Sequence, residues 1–440
     1  MRRAIFLLTG LDGVNSRNLL LALTLLLGIV LLIAPRRQAA YQDFVPLYGG
    51  ARCLVHGHNP YSWRDQQQQV LAAGGPVTDA GYWVDFPIAY PPLTYVLLSP
   101  VALLRWPQAT RLWALLTVLA FAGGALALIH VCRPRFRWLA VCIAAALLAA
   151  SQLVLIMGQI TLLDIGLLAL GCALLLRRRL APGLLLLALA VALKPQMGGL
   201  ILAYFLIPRR TRRPAAVTLA ALALLAGLAG LWFAHSPQTR HWPAELRQNI
   251  AAGQAPRGAM DPLVLGPLGE NEMLSLQQLT QSLSPDRALA NRLAWTIAAL
   301  TGLGLLFALV RMPDEEERDI LAIAALAMLA LTPVYHRLYD MRIVLLTLPA
   351  LTLVAERCRR CGLALTFVSG FLLLSTSLLV MKAIGAHGRA LASRHAIVQI
   401  LLGRQQALAV LLLALAYTAA CWRFARPPAL HAPEPASSSS

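Results

Sequence analysis

Apolar runs of membrane-spanning character recur along the chain, near residues 19 to 34, 108 to 131, 137 to 157, 161 to 176, 180 to 193, 197 to 207, 214 to 234, 291 to 311, 320 to 335, 341 to 355, 363 to 382 and 396 to 421. The pattern predicts an all-α, polytopic membrane protein with about twelve transmembrane helices. A single integral membrane domain would cover 1–426, with a first outer loop at 36–107, a second large outer loop at 235–290, and a disordered Pro/Ala/Ser tail at 427–440 on the cytoplasmic side.

Leu93 to Leu104 breaks the pattern. It is apolar but short, and it is bounded by Pro91-Pro92 and Trp106-Pro107. At roughly 1.5 Å per residue it covers about 18 Å, too little for a hydrocarbon core of about 30 Å. It therefore reads as a re-entrant or juxtamembrane helix in the first outer loop. With this segment not crossing, Arg2-Arg3, Arg133 to Arg137, Arg177 to Arg179, Arg209 to Arg213, Arg311 to Arg318, Arg357 to Arg360, Arg423 and Arg426 all fall on the cytoplasmic side. Arg36-Arg37 is the exception. Lys194-Pro195-Gln196 separates two short apolar runs, which predicts a helix broken or tilted at the proline.

Composition sharpens the class. The chain is 58% hydrophobic and 13% charged, as a membrane bundle requires. The formal net charge of +19 sits in short arginine junctions between apolar runs rather than on one basic surface, so it sets topology and gives no nucleic-acid partner. Met1-Arg-Arg and the run to Ala34 imitate a cleaved signal ending near Ala39-Ala40, but the further apolar segments favour an uncleaved first helix. Seven cysteines offer no paired framework, and Cys358-Arg-Arg-Cys361 reads as a basic cytoplasmic turn. His56 and His58 bracket Gly57 without a further ligand set, so no metal is predicted.

The same topology sorts the polar residues. The inner turns are plain arginine clusters, whereas the outer ones mix Asp, His, Lys, Gln, Tyr and Trp, so any chemistry belongs to the outer face. Asp43, in the aromatic stretch Tyr41 to Tyr48, can act as a general base on a hydroxyl held about 3 Å away; the structural alternative is a cap or a pair with Arg36 or Arg37. Lys194 ends an apolar run, where an ammonium is costly unless it snorkels or meets an anion such as a lipid phosphate. His336, Tyr339, Asp340 and Arg342 lie between two apolar segments and can face one cavity; Asp340 and Arg342 pairing with each other is the alternative. Gln159 can hydrogen-bond a ligand, and Asp164 lies about one turn deeper. No P-loop, nucleophile-elbow serine or paired-histidine zinc motif occurs where it could work, which argues against an ATP-driven pump, a serine hydrolase and a zinc protease.

Taken in order, Asp43-Phe-x-x-x-Tyr48, Gly57-x-Asn59-Pro60-Tyr61, Tyr90-Pro91-Pro92-Leu93, Gly158-Gln159-Ile-Thr-Leu-Leu, Leu193-Lys194-Pro195-Gln196 and Tyr339-Asp340 resemble glycosyltransferase family 87, membrane enzymes of the GT-C class that use polyprenol-phosphate-linked mannose and make alpha-1,2 links. The resemblance runs from about Asp43 to about Pro349. It implies a GT-C-like fold, Asp43 as catalytic base, inversion at the anomeric carbon, no cofactor, no nucleotide sugar and no required metal. It also implies a substrate site drawn from Tyr48, Asn59, Tyr61, Tyr90, Gln159, Lys194, Gln196, His336, Tyr339, Asp340 and Arg342. The implied partners are a polyprenyl-phosphate sugar donor, a lipid or glycan acceptor and the surrounding membrane lipids. The implied location is a bacterial-type plasma (inner) membrane, with the site facing the extracytoplasmic side. The cluster around His336 is richer in charge than a plain Tyr-Asp turn. A transporter or flippase of lipid-linked saccharides is the alternative, but it would show two similar halves with polar residues near mid-membrane.

Overall fold

The computed structural model describes residues 41–78, 82–83, 88–256, 258, 260–263, 273–313, 316–332, 334, 336–375 and 404–425. The predicted first span at 19–34, Arg36-Arg37, the end of the 363–382 span, the turn from Gly385 to His395 and the tail at 427–440 lie outside the described residues.

Helices account for nearly all of the described structure. A short 3-10 turn, Gln42–Phe44, leads into α1 (Val45–Val55), followed by α2 (Trp63–Ala72) and α3 (Pro92–Ala102). Long α4 (Trp106–Val131) is followed by α5 (Arg137–Ala150), α6 (Gln152–Ile156), α7 (Ile160–Leu176), α8 (Leu180–Leu193) and α9 (Pro195–Tyr204). Then come α10 (Arg209–His235), α11 (Trp242–Gln254), α12 (Leu276–Gln281), α13 (Arg287–Arg311) and α14 (Glu316–Ala330). A 3-10 stretch, Leu338–Thr347, runs into α15 (Leu348–Arg357), and α16 (Arg359–Ser375) and α17 (Gln405–Phe424) complete the set.

Prolines and small polar residues start many of these helices, because a proline's missing N–H falls where the helix leaves that donor unused anyway. Pro46, Pro92, Pro107 and Pro195 occupy first-turn positions. The Ser62 hydroxyl accepts from Asp65 N to cap α2, and the Asp286 carboxylate accepts from Ala288 N and Leu289 N to cap α13.

Five stretches among the described residues are long and apolar enough to cross a bilayer: α4, α10, α13, Leu338–Arg357 and α17. The other predicted spans that fall within the described residues are shorter helices there, two of them for identifiable reasons. The run at 137 to 157 divides at Ser151, whose hydroxyl bonds back to Leu147 O at 2.6 Å and so competes with the helix ladder. The runs on either side of Lys194 divide at Pro195. Helix α3 has 11 residues and packs against α1, α8 and α10; at about 16 Å it does not cross a core on its own.

Helix α7 is the centre of the bundle, lying between α4 and α8. Its approach to α4 depends on Gly166, where an added Cβ would meet the backbone of Ala120 at 2.4 Å and of Phe121 at 2.5 Å. Small residues permit such close crossings where lipid gives no hydrophobic drive between helices.

Three features depart from the sequence expectation. A two-residue antiparallel ladder joins β1 (Met273–Leu274) to β2 (His336–Arg337), with Met273 opposite Arg337. It ties the segment ahead of α12 to the segment that carries His336. Leu338–Thr347 is 3-10 rather than α; Pro349 has no N–H for the carbonyl of Leu345, which bonds instead to Leu348 N. Finally, Cys358 and Cys361 form a disulfide where a plain basic turn was expected. Cys358 is extended between α15 and α16, which brings the two Cα atoms to 5.3 Å, a separation that a disulfide can bridge.

The arginine clusters meet at one end of the bundle. Arg133 pairs with Glu317 at 3.4 Å and Glu356 at 3.3 Å, Arg357 pairs with Glu317 at 3.2 Å, and Arg210 pairs with Asp319. Asp43, Gln159, Lys194 and Asp340 lie at the opposite ends of the helices concerned.

Candidate active site

A cavity of about 190 Å³ opens where the segments ahead of α1 and α3 meet the starts of α7 and α9 and the segment from β2 onward. Asp43, Tyr90, Gln159, Lys194, Gln196, Arg337, Tyr339 and Asp340 line it, with Met260 from the segment between α11 and α12.

Asp43 is only 4% exposed, and its position is fixed by backbone bonds. Tyr41 N donates to Ile156 O at 2.7 Å, and Asp43 N donates to Met157 O at 2.9 Å. The short turn is thus docked on the link between α6 and α7. Trp113 secures the same link by donating its indole N–H to Gly158 O at 2.8 Å, and its ring stacks on Phe44 at 4.7 Å. Close docking needs Gly158. Its φ is +69°, and an added Cβ would meet Tyr41 Cδ1 at 2.7 Å and Phe44 Cβ at 2.9 Å. Tyr41 itself is left-handed, with φ of +70°, a conformation that costs a non-glycine residue of order 1–3 kcal/mol and that surrounding packing must hold.

Lys194 is placed by the helix break. As the residue before proline it leaves helical geometry, with φ −146° and ψ 81°. Two carbonyls in the last turn of α8 accept here: Lys194 N donates to Ala190 O at 2.8 Å, and the Thr94 hydroxyl donates to Ala192 O at 3.0 Å. The ammonium then reaches Asp340 Oδ1 and donates to Thr161 Oγ1 at 2.9 Å. The hydroxyl of Thr161 donates in turn to Asp340 Oδ1 at 2.8 Å. The ring of Tyr339 lies 5.3 Å from the Lys194 nitrogen. An ammonium carries three donors, and these contacts use two of them.

Asp340 is the hub of this cluster. Its second oxygen, Oδ2, faces His336 Nδ1 at 2.9 Å, and His336 Nε2 faces Ala330 O at 3.0 Å. Asp164 lies one turn below Thr161, fully buried, with neither oxygen hydrogen-bonded. Its electrostatic neighbours are Lys194 and Asp340. The Tyr82 phenol, which donates to Gln42 O beside Asp43, is raised above the ordinary tyrosine value by burial first and then by Asp43 and Tyr90. Its hydroxyl serves there as a hydrogen-bond donor rather than as a base.

The structure brings Asp43, Tyr90, Gln159, Lys194, Gln196, Tyr339 and Asp340 to one cavity and assigns other positions to the rest of the predicted residues. Tyr48 is buried and donates to Leu104 O at 2.7 Å, packed against Phe44 and Trp106. Asn59 accepts from Tyr61 N at 2.9 Å and donates to Glu245 Oε1 at 2.9 Å, so it shapes a turn and links the two outer loops. Tyr61 donates to Tyr90 O at 3.0 Å and stacks on Trp242. His336 is fully buried behind Asp340, not on the lining. Arg342 does not pair with Asp340 through a hydrogen bond: it donates to Leu338 O at 2.9 Å and to Ala150 O. Sequence reasoning passed over Arg337, Tyr82 and Met260. Arg337 stood inside the polar cluster after span 320 to 335, and only the β1–β2 register turns it towards the cavity.

The sequence matches glycosyltransferase family 87 over residues 88–335, more than half of the chain. It is also similar to the polyprenol-phosphate-mannose-dependent alpha-(1-2)-phosphatidylinositol mannoside mannosyltransferase of Mycobacterium tuberculosis. The two are 31% identical over 229 residues, which cover 46% of this chain and 52% of the relative. The match thus spans about half the length of that curated relative. No solved structure matches the chain.

Proposed function

The chain belongs to glycosyltransferase family 87, and from that premise we propose that it transfers a hexose, mannose, from a polyprenyl-phosphate donor to a hydroxyl of a lipid- or glycan-linked acceptor, with inversion. The observation that carries this reading is the cavity whose lining joins a buried carboxylate, Asp43, to Arg337 and to the Lys194–Asp340 pair.

In the proposed reaction Asp43 accepts the proton of the acceptor hydroxyl as that oxygen attacks the anomeric carbon. The attack comes from the face opposite the phosphate, and the bond between the anomeric carbon and the phosphate oxygen breaks with its electron pair going to the phosphate. The third donor of Lys194, with Arg337, meets the charge that gathers on that leaving group. Asp340 holds Lys194 in place while leaving that donor for a ligand. Gln159, Gln196, Tyr90 and Tyr339 supply the hydrogen-bonding and stacking surface for the sugar.

The reaction would face the extracytoplasmic side. Support comes from the arginine clusters gathered at the bundle end opposite the cavity, since cytoplasmic ends carry the excess of Lys and Arg. A flippase draws no specific support: among the described residues Asp43, Gln159, Lys194 and Asp340 share one cavity of about 190 Å³ at one end of the bundle.

Membranes containing the protein should transfer radiolabelled mannose from polyprenyl-phosphate-mannose to an endogenous acceptor and give no transfer directly from a nucleotide-linked mannose. Transfer from the nucleotide sugar alone would remove the lipid-linked donor.

Gly158→Ala tests how Asp43 is positioned. The added methyl must displace Tyr41 or Phe44. Because misplacing a reacting group by about 1 Å can cost on the order of a hundredfold, turnover per folded protein is expected to fall by tenfold or more. A lowered melting temperature with unchanged turnover would show that the turn stabilises the fold without positioning Asp43.

A further inference from the structure

The larger cavity lies at the other end of the bundle, about 1320 Å³ between the ends of α13, α15, α16 and α17. Its depth is apolar, with Val368, Leu412, Leu413 and Ala416 on the walls. Its rim is basic: Arg311, Arg357 and Arg423, each exposed and each from a different helix, converge there. The acid on the described rim, Glu317, already accepts from Arg133 and Arg357.

Two of the guanidinium groups are pre-positioned. Arg311 lies 3.9 Å over the Phe307 ring and Arg357 lies 5.3 Å over Phe424. Stacking covers their faces and leaves N–H edges to donate, the arrangement by which arginine grips phosphate. The volume exceeds the roughly 300–1,000 Å³ of ordinary small-ligand pockets, and most of the depth offers nothing to a free anion.

We infer that this cavity is a binding site for an anionic phospholipid, with its phosphate at the Arg311–Arg357–Arg423 rim and its acyl chains in the apolar depth. Basic pockets between transmembrane helices take acidic headgroups for the same electrostatic reason. Arg2-Arg3 and Arg426 repeat the charge of the rim and give it no complement. The inference does not depend on the proposed sugar transfer.

The full-length protein, purified in detergent, would be titrated with dioleoylphosphatidylglycerol or dioleoylphosphatidylcholine, and retained lipid would be counted by native mass spectrometry. The net two positive charges of the rim predict a preference of about thirtyfold for the anionic lipid. The preference should vanish in Arg311→Gln/Arg423→Gln and survive in Arg311→Lys/Arg423→Lys. Ala416→Trp should abolish retention by filling the depth without altering charge, provided elution volume and melting temperature stay those of the parent. Equal retention of the two lipids, or unchanged preference in the double Gln variant, would overturn the inference. Displacement of the lipid by millimolar inorganic phosphate would overturn it too, reducing the site to an anion site. So would efficient cross-linking of Ala416→Cys to a cysteine placed in 1–40, 376–403 or 427–440, which would make a segment of the chain itself the occupant.

Discussion

Asp43→Asn is expected to lower sugar transfer by about a hundredfold to ten-thousandfold, the range that a positioned general base supplies. The substitution keeps the shape of the side chain and removes its ability to take a proton. The backbone bonds that dock the turn, from Tyr41 N to Ile156 O and from Asp43 N to Met157 O, do not involve the side chain, so the variant should accumulate and melt as the parent does. The loss should fall on kcat with little change in the KM for the donor, as expected when an interaction made only in the transition state is removed. Equal transfer by parent and variant at equal abundance would exclude Asp43 as the base.

Lys194→Met is expected to lose both stability and transfer, for separable reasons. The Lys194–Asp340 pair is nearly closed to solvent, with side-chain exposures of 11% and 3%, and removing one partner of a buried pair costs about 3–5 kcal/mol because the other charge is stranded. A second change, Asp340→Asn, removes that stranded charge, and His336 Nδ1 can still meet the amide oxygen. The double variant should therefore regain most of the thermal stability lost by Lys194→Met. Transfer should not return, because no ammonium remains to meet the leaving phosphate. Recovery of transfer with stability would reduce Lys194 to a structural residue.

Much of this site was legible in the chain because its residues break local rules. A lysine at the end of an apolar run, an aspartate in an aromatic loop and a polar cluster between two spans are all costly placements in a membrane protein. Asp43, Gln159, Lys194, Tyr339 and Asp340 stood out on that ground, and they share one cavity. Tyr48, Asn59 and Tyr61 carried the same chemical character for a different reason. Aromatic and Asn-Pro residues also fold an outer loop, and here they close turns and stack. Arg337 shows the opposite failure. It stands in a two-residue ladder to Met273, more than sixty positions earlier in the chain, and no local pattern encodes that pairing. The span boundaries near 108 to 131, 214 to 234 and 291 to 311 were readable to within a few residues of α4, α10 and α13. The structure extends the starts into the flanking polar residues because helical hydrogen bonding continues where the apolar run stops.

The shortness of α7 and α8 has a further consequence for how the membrane meets the protein. With 17 and 14 residues, they reach about 26 Å and 21 Å, against a hydrocarbon thickness of about 30 Å. Both helices adjoin the turn Arg177 to Arg179, which anchors one end at a polar boundary. Gln159 and Lys194, at their other ends, then stand recessed by roughly 4 to 9 Å from the opposite boundary. A bilayer crossed by these two helices would thin locally, or its headgroups would sink towards the protein, to close this mismatch. A prenyl-linked phosphate would thus meet Lys194 by settling inward along the leaflet, with its hydrocarbon tail never leaving the membrane.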